Sequence, residues 1–246
     1  MSLTPVGPPP GAPYPVPTGP PATTAVLRSP LGLATAVVVL LSLAVAADVL
    51  DIAMQAGRYA LVGTMAVDGL GTVDPSALGT SDMLVGLAGV LQFLTLVATA
   101  VLFLVWFHRV RSNAVVFAPN GFDKGRGWAI GGWFIPIACC WIPFQIARET
   151  WVASSQTTRE GGLRPADSGP VSRWWAAWTF SNLLAILSVI LTDDMSQWAD
   201  DIREAASMTI ASDALDIAAA VLAIVFVRKL TAMQHRKPTE GPFALS

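Results

Sequence analysis

Cysteine, histidine and lysine are all scarce in this chain. Its two cysteines, Cys139 and Cys140, are adjacent, so they yield neither a disulfide framework nor a zinc pattern. They sit in a Trp-rich apolar run with nothing beside them to stabilise a thiolate, and are expected to be buried and inert. His108 and His235 are the only histidines. Each stands next to an arginine and reads as an interfacial basic residue, with no third group at a fixed spacing to complete a triad or a metal centre. Gly125, Gly127, Gly131 and Gly132 do not make a dinucleotide fingerprint, because Ile130 stands where the third glycine belongs. No cofactor and no metal is therefore expected. Charge is also scarce: charged residues make up 13% of the chain, about half the share of a soluble domain.

Long uncharged apolar runs take the place of charge, within a composition that is 53% apolar. The charges between the runs are sorted by sign. Segments 48–82 and 193–216 hold twelve of the seventeen carboxylates but only Arg58 and Arg203 of the fifteen basic residues. Lysine and arginine are retained on the cytoplasmic side during insertion, so the acidic segments belong outside and both chain ends inside. Only three of the basic residues are lysine. With abundant Ala, Gly, Val and Pro, that bias resembles a GC-rich bacterial coding sequence. The expected location is the bacterial cytoplasmic (inner) membrane, multi-pass. Basic residues at the inner face should attract anionic headgroups, and nothing suggests nucleic acid.

Residues 1–30 hold ten of the eighteen prolines, a composition that favours a disordered cytoplasmic tail of polyproline-II character. It is a solvated tail or, more sharply, a ligand for an aromatic-lined groove on a partner. A helical membrane domain is expected over 31–232, with a short cytoplasmic tail at 233–246. Spans are expected at about 31–52, 83–107, 173–192 and 205–227, since a bilayer core takes about 20 apolar residues per helix. Ala44-Val45-Ala46 resembles a small-residue cleavage site, but the long proline-filled leader argues for an uncleaved anchor.

Segment 128–152 is apolar enough to cross. Crossing would put Arg148, Arg159, Arg164 and Arg173 outside and the acidic 193–204 stretch inside. A non-crossing segment removes those violations. Pro136 and Pro143 remove backbone donors, and Gly131-Gly132 loosens the chain. The expectation is an all-α integral membrane protein with four crossing helices plus a broken, membrane-embedded segment, re-entrant or interfacial. The alternative is five crossing helices. Trp128, Trp133, Trp141 and Trp151 are expected at the headgroup level. With Pro136 and Pro143 they form a candidate interaction segment.

One phrase occurs twice. Asp48 and Asp51 end the first span, and Asp213 and Asp216 open the last, each pair three residues apart on one helix face. At 1.5 Å per residue, Asp216 lies about 18 Å and Asp213 about 22 Å above Arg228. Gln92, Ser188 and Ser42 fall about 24, 22 and 21 Å above the nearest inner-face basic residue of their own spans. A polar or ion layer of Ser42, Gln92, Thr95, Ser188, Asp213 and Asp216 is therefore a candidate. It could bind a hard cation through oxygen ligands or share a proton. Asp48 and Asp51 read instead as helix-end residues already reached by water.

Three motifs carry a resemblance: Trp106 to Ala114 (WFHRVRSNA), Gly127 to Ser154 (GWAIGGWFIPIACCWIPFQIARETWVAS) and Trp174 to Asn182 (WWAAWTFSN). They resemble the bacterial membrane family known as domain of unknown function 4328. Its hallmark run appears here as Trp133-Phe134-Ile135-Pro136, then Trp141-Ile142-Pro143, then Trp151-Val152-Ala153-Ser154. Cys139-Cys140 stands where members often carry Asn-Leu. The resemblance covers about residues 83–228. It implies an integral membrane domain, often behind a low-complexity tail, and brings no established activity.

The functional expectation is a non-enzymatic membrane module (scaffold, sensor or accessory subunit) working against the lipid bilayer, another membrane protein or a binder of the proline-rich tail. The alternative is a small cation- or proton-coupled transporter using the carboxylate pair.

Overall fold

The computed structural model describes residues 27–68, 74–156, 167–191 and 199–239. Of these residues 86% are helical and none is in a strand. The helices are α1 (Leu31–Asp68), α2 (Pro75–Phe117), α3 (Trp128–Gly131), α4 (Ile142–Ser154), α5 (Gly169–Leu191) and α6 (Ala199–Thr239), with a 3₁₀ turn at Ala138–Cys140. The expected tail at 1–26, the acidic residues at 193–198 and the last seven residues lie outside the described set.

The chemistry of the helix starts is local. Asp74 caps α2 by accepting the Ser76 N–H at 2.9 Å, ahead of Pro75 in the first turn. The same bond holds the exposed Asp74 carboxyl below the usual carboxylate range. At the start of α5, Asp167 Oδ1 accepts the Gly169 N–H at 2.8 Å. Between caps, charge-free Ala, Leu and Val continue the helices.

Among the described residues, three helices are long and apolar enough to cross a membrane: Leu31–Thr64 within α1, Ser76–Phe117 within α2 and Asp201–Pro238 within α6. They overrun the expected spans. With 38, 43 and 41 residues, α1, α2 and α6 are about 57–65 Å long, twice a hydrocarbon core of about 30 Å. The acidic stretches drawn from sequence as lying between spans are therefore largely helical, and α6 carries on through 233–239.

Contacts give the directions. Arg28 meets Asn113, Asp48 meets Gln92, and Arg58 meets Asp82, so α1 and α2 run antiparallel. Arg203 meets Tyr59 while Gln92 meets Asp213, so α6 runs against α1 and with α2. Trp174 stacks on Phe226, and Ser181 meets Asp216, so α5 runs against α6. It follows that α2 ends and α5 begins at the same end of the bundle. The stretch between them leaves and returns on one side.

That stretch is broken as its prolines dictate. Among its described residues, α4 has 13 residues and the other helical pieces have three or four. Pro136 and Ala138 close a tight turn around Ile137, whose φ of 65° is rare for a β-branched residue. Gly132 is required by crowding: a Cβ there would sit 2.7 Å from Ile142 Cγ2 and 2.9 Å from the Trp128 carbonyl.

The core of this end is aromatic. Trp174 stacks on Phe226 at 4.6 Å, and Trp151 stacks on the same ring at 6.1 Å. Trp133 packs edge-on against Phe103, Phe107, Trp175 and Trp178 at 5.3–6.3 Å. The candidate interaction residues therefore divide. Trp128, Pro136 and Trp141 are exposed, and Trp133, Pro143 and Trp151 pack inward. Trp133 and Trp151 fill the junction of α2, α5 and α6. The expected burial of the thiols is corrected: Cys139 is half-buried and Cys140 exposed. Contact with Cys139 pushes the Cys140 thiol up.

Candidate functional site

Two polar clusters lie inside the bundle, one toward each end. At the Asp-rich end, α1 turns Asp48, Asp51 and Gln55 onto one face by their spacing of three and four residues. All three are buried. Gln92 of α2 reaches between the other two helices, its Nε2 donating to Asp48 Oδ1 at 3.1 Å and to Asp213 Oδ1 at 3.2 Å. Asp213 of α6 is 5% exposed. Its Oδ2 is buried without a hydrogen-bond donor, and the carboxyl lies within hydrogen-bond reach of Asp51. Asp216, one turn along, meets the Ser181 hydroxyl of α5. Gln55 Oε1 is also buried without a partner.

This is only part of the layer expected from sequence. Gln92 and Asp213 come together, and Asp216 stands beside them. Ser42 is exposed and donates to the Val38 carbonyl of its own helix at 2.8 Å. Thr95 likewise donates to the Leu91 and Gln92 carbonyls at 3.1 and 2.9 Å. The Ser188 side chain lies outside the described set. Asp48 and Asp51 are the correction. They are not helix-end residues, because α1 continues to Asp68, and they are interior partners of Gln92 and Asp213. The phrase repeated in α1 and α6 is two complementary halves of one cluster, brought level by antiparallel packing. Gln55 was missed, although its place seven residues after Asp48 on the same face was the available signal.

Chemically, two carboxyl groups in contact with no donor between them repel unless a proton or a cation lies between. Among the described residues, no group of three or more His, Cys, Asp or Glu side chains is arranged to hold a metal ion. The cluster thus suits a small positive charge shared by a pair of carboxyls.

The second cluster, at the Trp-rich end, is a clamp that sequence reasoning missed. Asn113 Oδ1 accepts from the Arg28 N–H at 3.1 Å, and its Nδ2 donates to the Arg28 carbonyl at 2.9 Å and to Gln234 Oε1 at 3.1 Å. Gln234 Nε2 donates to the Val110 carbonyl at 2.8 Å and to Ser154 Oγ at 3.0 Å. Lys237 Nζ donates to the Ala153 and Ser155 carbonyls at 2.7 and 2.6 Å. Arg111 is fully buried and pairs with Glu149 at 2.8 Å, with Phe122 lying over its guanidinium at 3.9 Å. These bonds tie Arg28, ahead of α1, to α2, α4 and α6 at this end of the bundle. The signal was Arg111 and Asn113 placed just after the uncharged run 83–107, where α2 continues and is still packed against its neighbours.

A family model described as a domain of unknown function (DUF4328) matches residues 70–232. The chain belongs to this family. No curated protein and no solved structure matches it. The matched region includes Gln92, Arg111, Asn113, Asp213 and Asp216 and begins after α1.

Proposed function

We propose that this member of the family is a non-enzymatic multi-pass module of the bacterial inner membrane that senses a small positive charge, a proton first of all, at its interior carboxyl cluster. In this reading α1, α2, α5 and α6 cross the bilayer, both chain ends are cytoplasmic, and the 118–168 stretch stays on the cytoplasmic face. Departure and return of that stretch at one end of the bundle supports four crossings over five. The basic residues of that end agree with retention of Lys and Arg inside. The exposed side chains of Trp128, Phe134, Ile137 and Trp141 are its contact with lipid or with another membrane protein.

The contact between Asp51 and Asp213 with no donor between them carries the proposal. Buried intramembrane carboxyls are costly and tend to be retained for function. α6 connects the cluster to the aromatic end, since Phe226 lies thirteen residues, about 20 Å, along the same helix. An Asp213→Asn protein is expected to stay folded, because an amide N–H supplies the missing donor. It should lose one titrating transition in the tryptophan fluorescence of the protein held in nanodiscs. A pH profile identical to that of the unaltered chain would sink the proposal.

A second reading, a small proton- or cation-coupled transporter, is favoured by the acidic residues beyond the cluster, which would concentrate cations at its mouth. Proteoliposomes should then show flux that Asp216→Asn lowers at least tenfold. Unaltered flux removes this reading.

A further inference from the structure

At the Trp-rich end, the turn that closes α2 and the exposed side of α4 flank an open cavity of about 360 Å³. Its walls include Ala118, Phe122, Gln145, Arg148, Glu149 and Val152. Its wall carries one carboxylate and one cation, and they are engaged differently. Glu149 is already engaged, its Oε2 accepting from Arg111 Nη2 at 2.8 Å. Arg148 is exposed, and among the described residues no carboxylate pairs with it. Lys124 stands at the rim, with Nζ donating to Gln145 Oε1 at 3.1 Å, which leaves the Gln145 N–H groups as donors. Behind the wall, Arg111 Nε and Nη1 are buried without an acceptor. Arg148 in the wall and Lys124 at the rim are thus the cations open to a ligand, while the carboxylate of the wall, Glu149, is already paired with Arg111. Ala118, Phe122 and Val152 make the rest of its lining apolar. On α4, the residues Trp141, Gln145, Arg148 and Val152 recur every three or four positions and are all exposed. They form a stripe that is apolar at both ends and cationic in the middle, the pattern of a helix lying along a membrane surface.

The geometry points to a binding site for one anionic phospholipid, its phosphodiester held by Arg148, Lys124 and the Gln145 amide and its glycerol and first acyl carbons against Phe122 and Val152. This goes beyond the general attraction of a basic face for anionic lipid, because it requires the cavity. It rests on the reading that this end faces the cytoplasmic leaflet.

The test uses the full chain in neutral detergent, titrated with dihexanoyl phosphatidylglycerol and, separately, with dihexanoyl phosphatidylcholine. Phosphatidylglycerol is expected to bind at least tenfold more tightly. Arg148→Gln and Lys124→Gln should each weaken it about fivefold, as expected of one cation near a lipid surface, while Arg148→Lys should recover most of the loss. Val152→Trp keeps every charge and fills the cavity, and should weaken binding as well. The site is overturned if the two charge variants bind phosphatidylglycerol unchanged. It is also overturned if Val152→Trp has no effect, which would leave only diffuse surface charge, or if inorganic phosphate competes as well as the lipid. A chain that fractionates with membranes yet fails these tests overturns the lipid site alone. A chain that needs no detergent overturns the membrane reading beneath it.

Discussion

Replacing Arg111 by leucine is expected to cost about 3–5 kcal/mol of stability, the range for removing one partner of a buried ion pair. The guanidinium is fully buried, while the Glu149 side chain keeps 30% of its exposure. The loss should therefore fall toward the lower end, since water can reach the abandoned carboxylate. The cost comes mostly from what is left behind: an unpaired Glu149, a Lys124 carbonyl without its 3.1 Å donor and a Phe122 ring without its cation. Adding Glu149→Leu should recover much of the loss by removing the lone charge. Arg58 supplies the control. Its pair with Asp82 at 3.1 Å is half-buried at Arg58 and exposed at Asp82, so Arg58→Leu should shift stability by about 1 kcal/mol. Thermal unfolding midpoints in one detergent would compare the three. Equal shifts for Arg111→Leu and Arg58→Leu would show that the buried pair does not hold the Trp-rich end together.

Trp133→Ala should have an effect of similar size, about 3–5 kcal/mol, but for an apolar reason. Four aromatic rings from α2 and α5 surround this indole, and no neighbouring element is free to collapse into the space. The broken segment would lose its main attachment to α2 and α5, so protease cleavage between residues 118 and 168 should rise sharply. Trp128→Ala and Trp141→Ala remove rings that are 40% and 47% exposed. They should cost less than about 1 kcal/mol, as surface substitutions do, while weakening attachment to lipid. If Trp128→Ala and Trp133→Ala proved equally damaging, the division of this segment into an inward and an outward face would be wrong.

The broken character of 128–152 was legible because it follows from covalent chemistry. Proline lacks the N–H that a helix interior needs, and Gly132 has no side chain to clash with Ile142. Sorting Arg148, Arg159, Arg164 and Arg173 by sign led to the expectation of a non-crossing segment, and in the bundle α2 ends and α5 begins at the same end. The helix lengths were less legible. A hydropathy reading stops a span where charge begins, but α1, α2 and α6 cover their polar turns against one another and so continue past that point. Asp48 and Asp51 were misjudged for the same reason. Counted from Arg28 along one helix they fall at a boundary, whereas in the bundle α6 and Gln92 close over them.

Composition, charge sorting and the proline and glycine positions determined by themselves that the described residues are helical without strands, apolar enough for a membrane, and interrupted within 128–152. These properties belong to single segments and their solvent, so no partner helix is needed to read them. Antiparallel packing of α1 on α6, with α2 alongside, decided which polar groups meet. That depends on the rotation and register of one helix against another, which is set by how side chains of different elements fill shared space. Asp51 therefore faces Asp213 rather than water, and Asn113 holds the backbone of Arg28, eighty-five residues earlier in the chain.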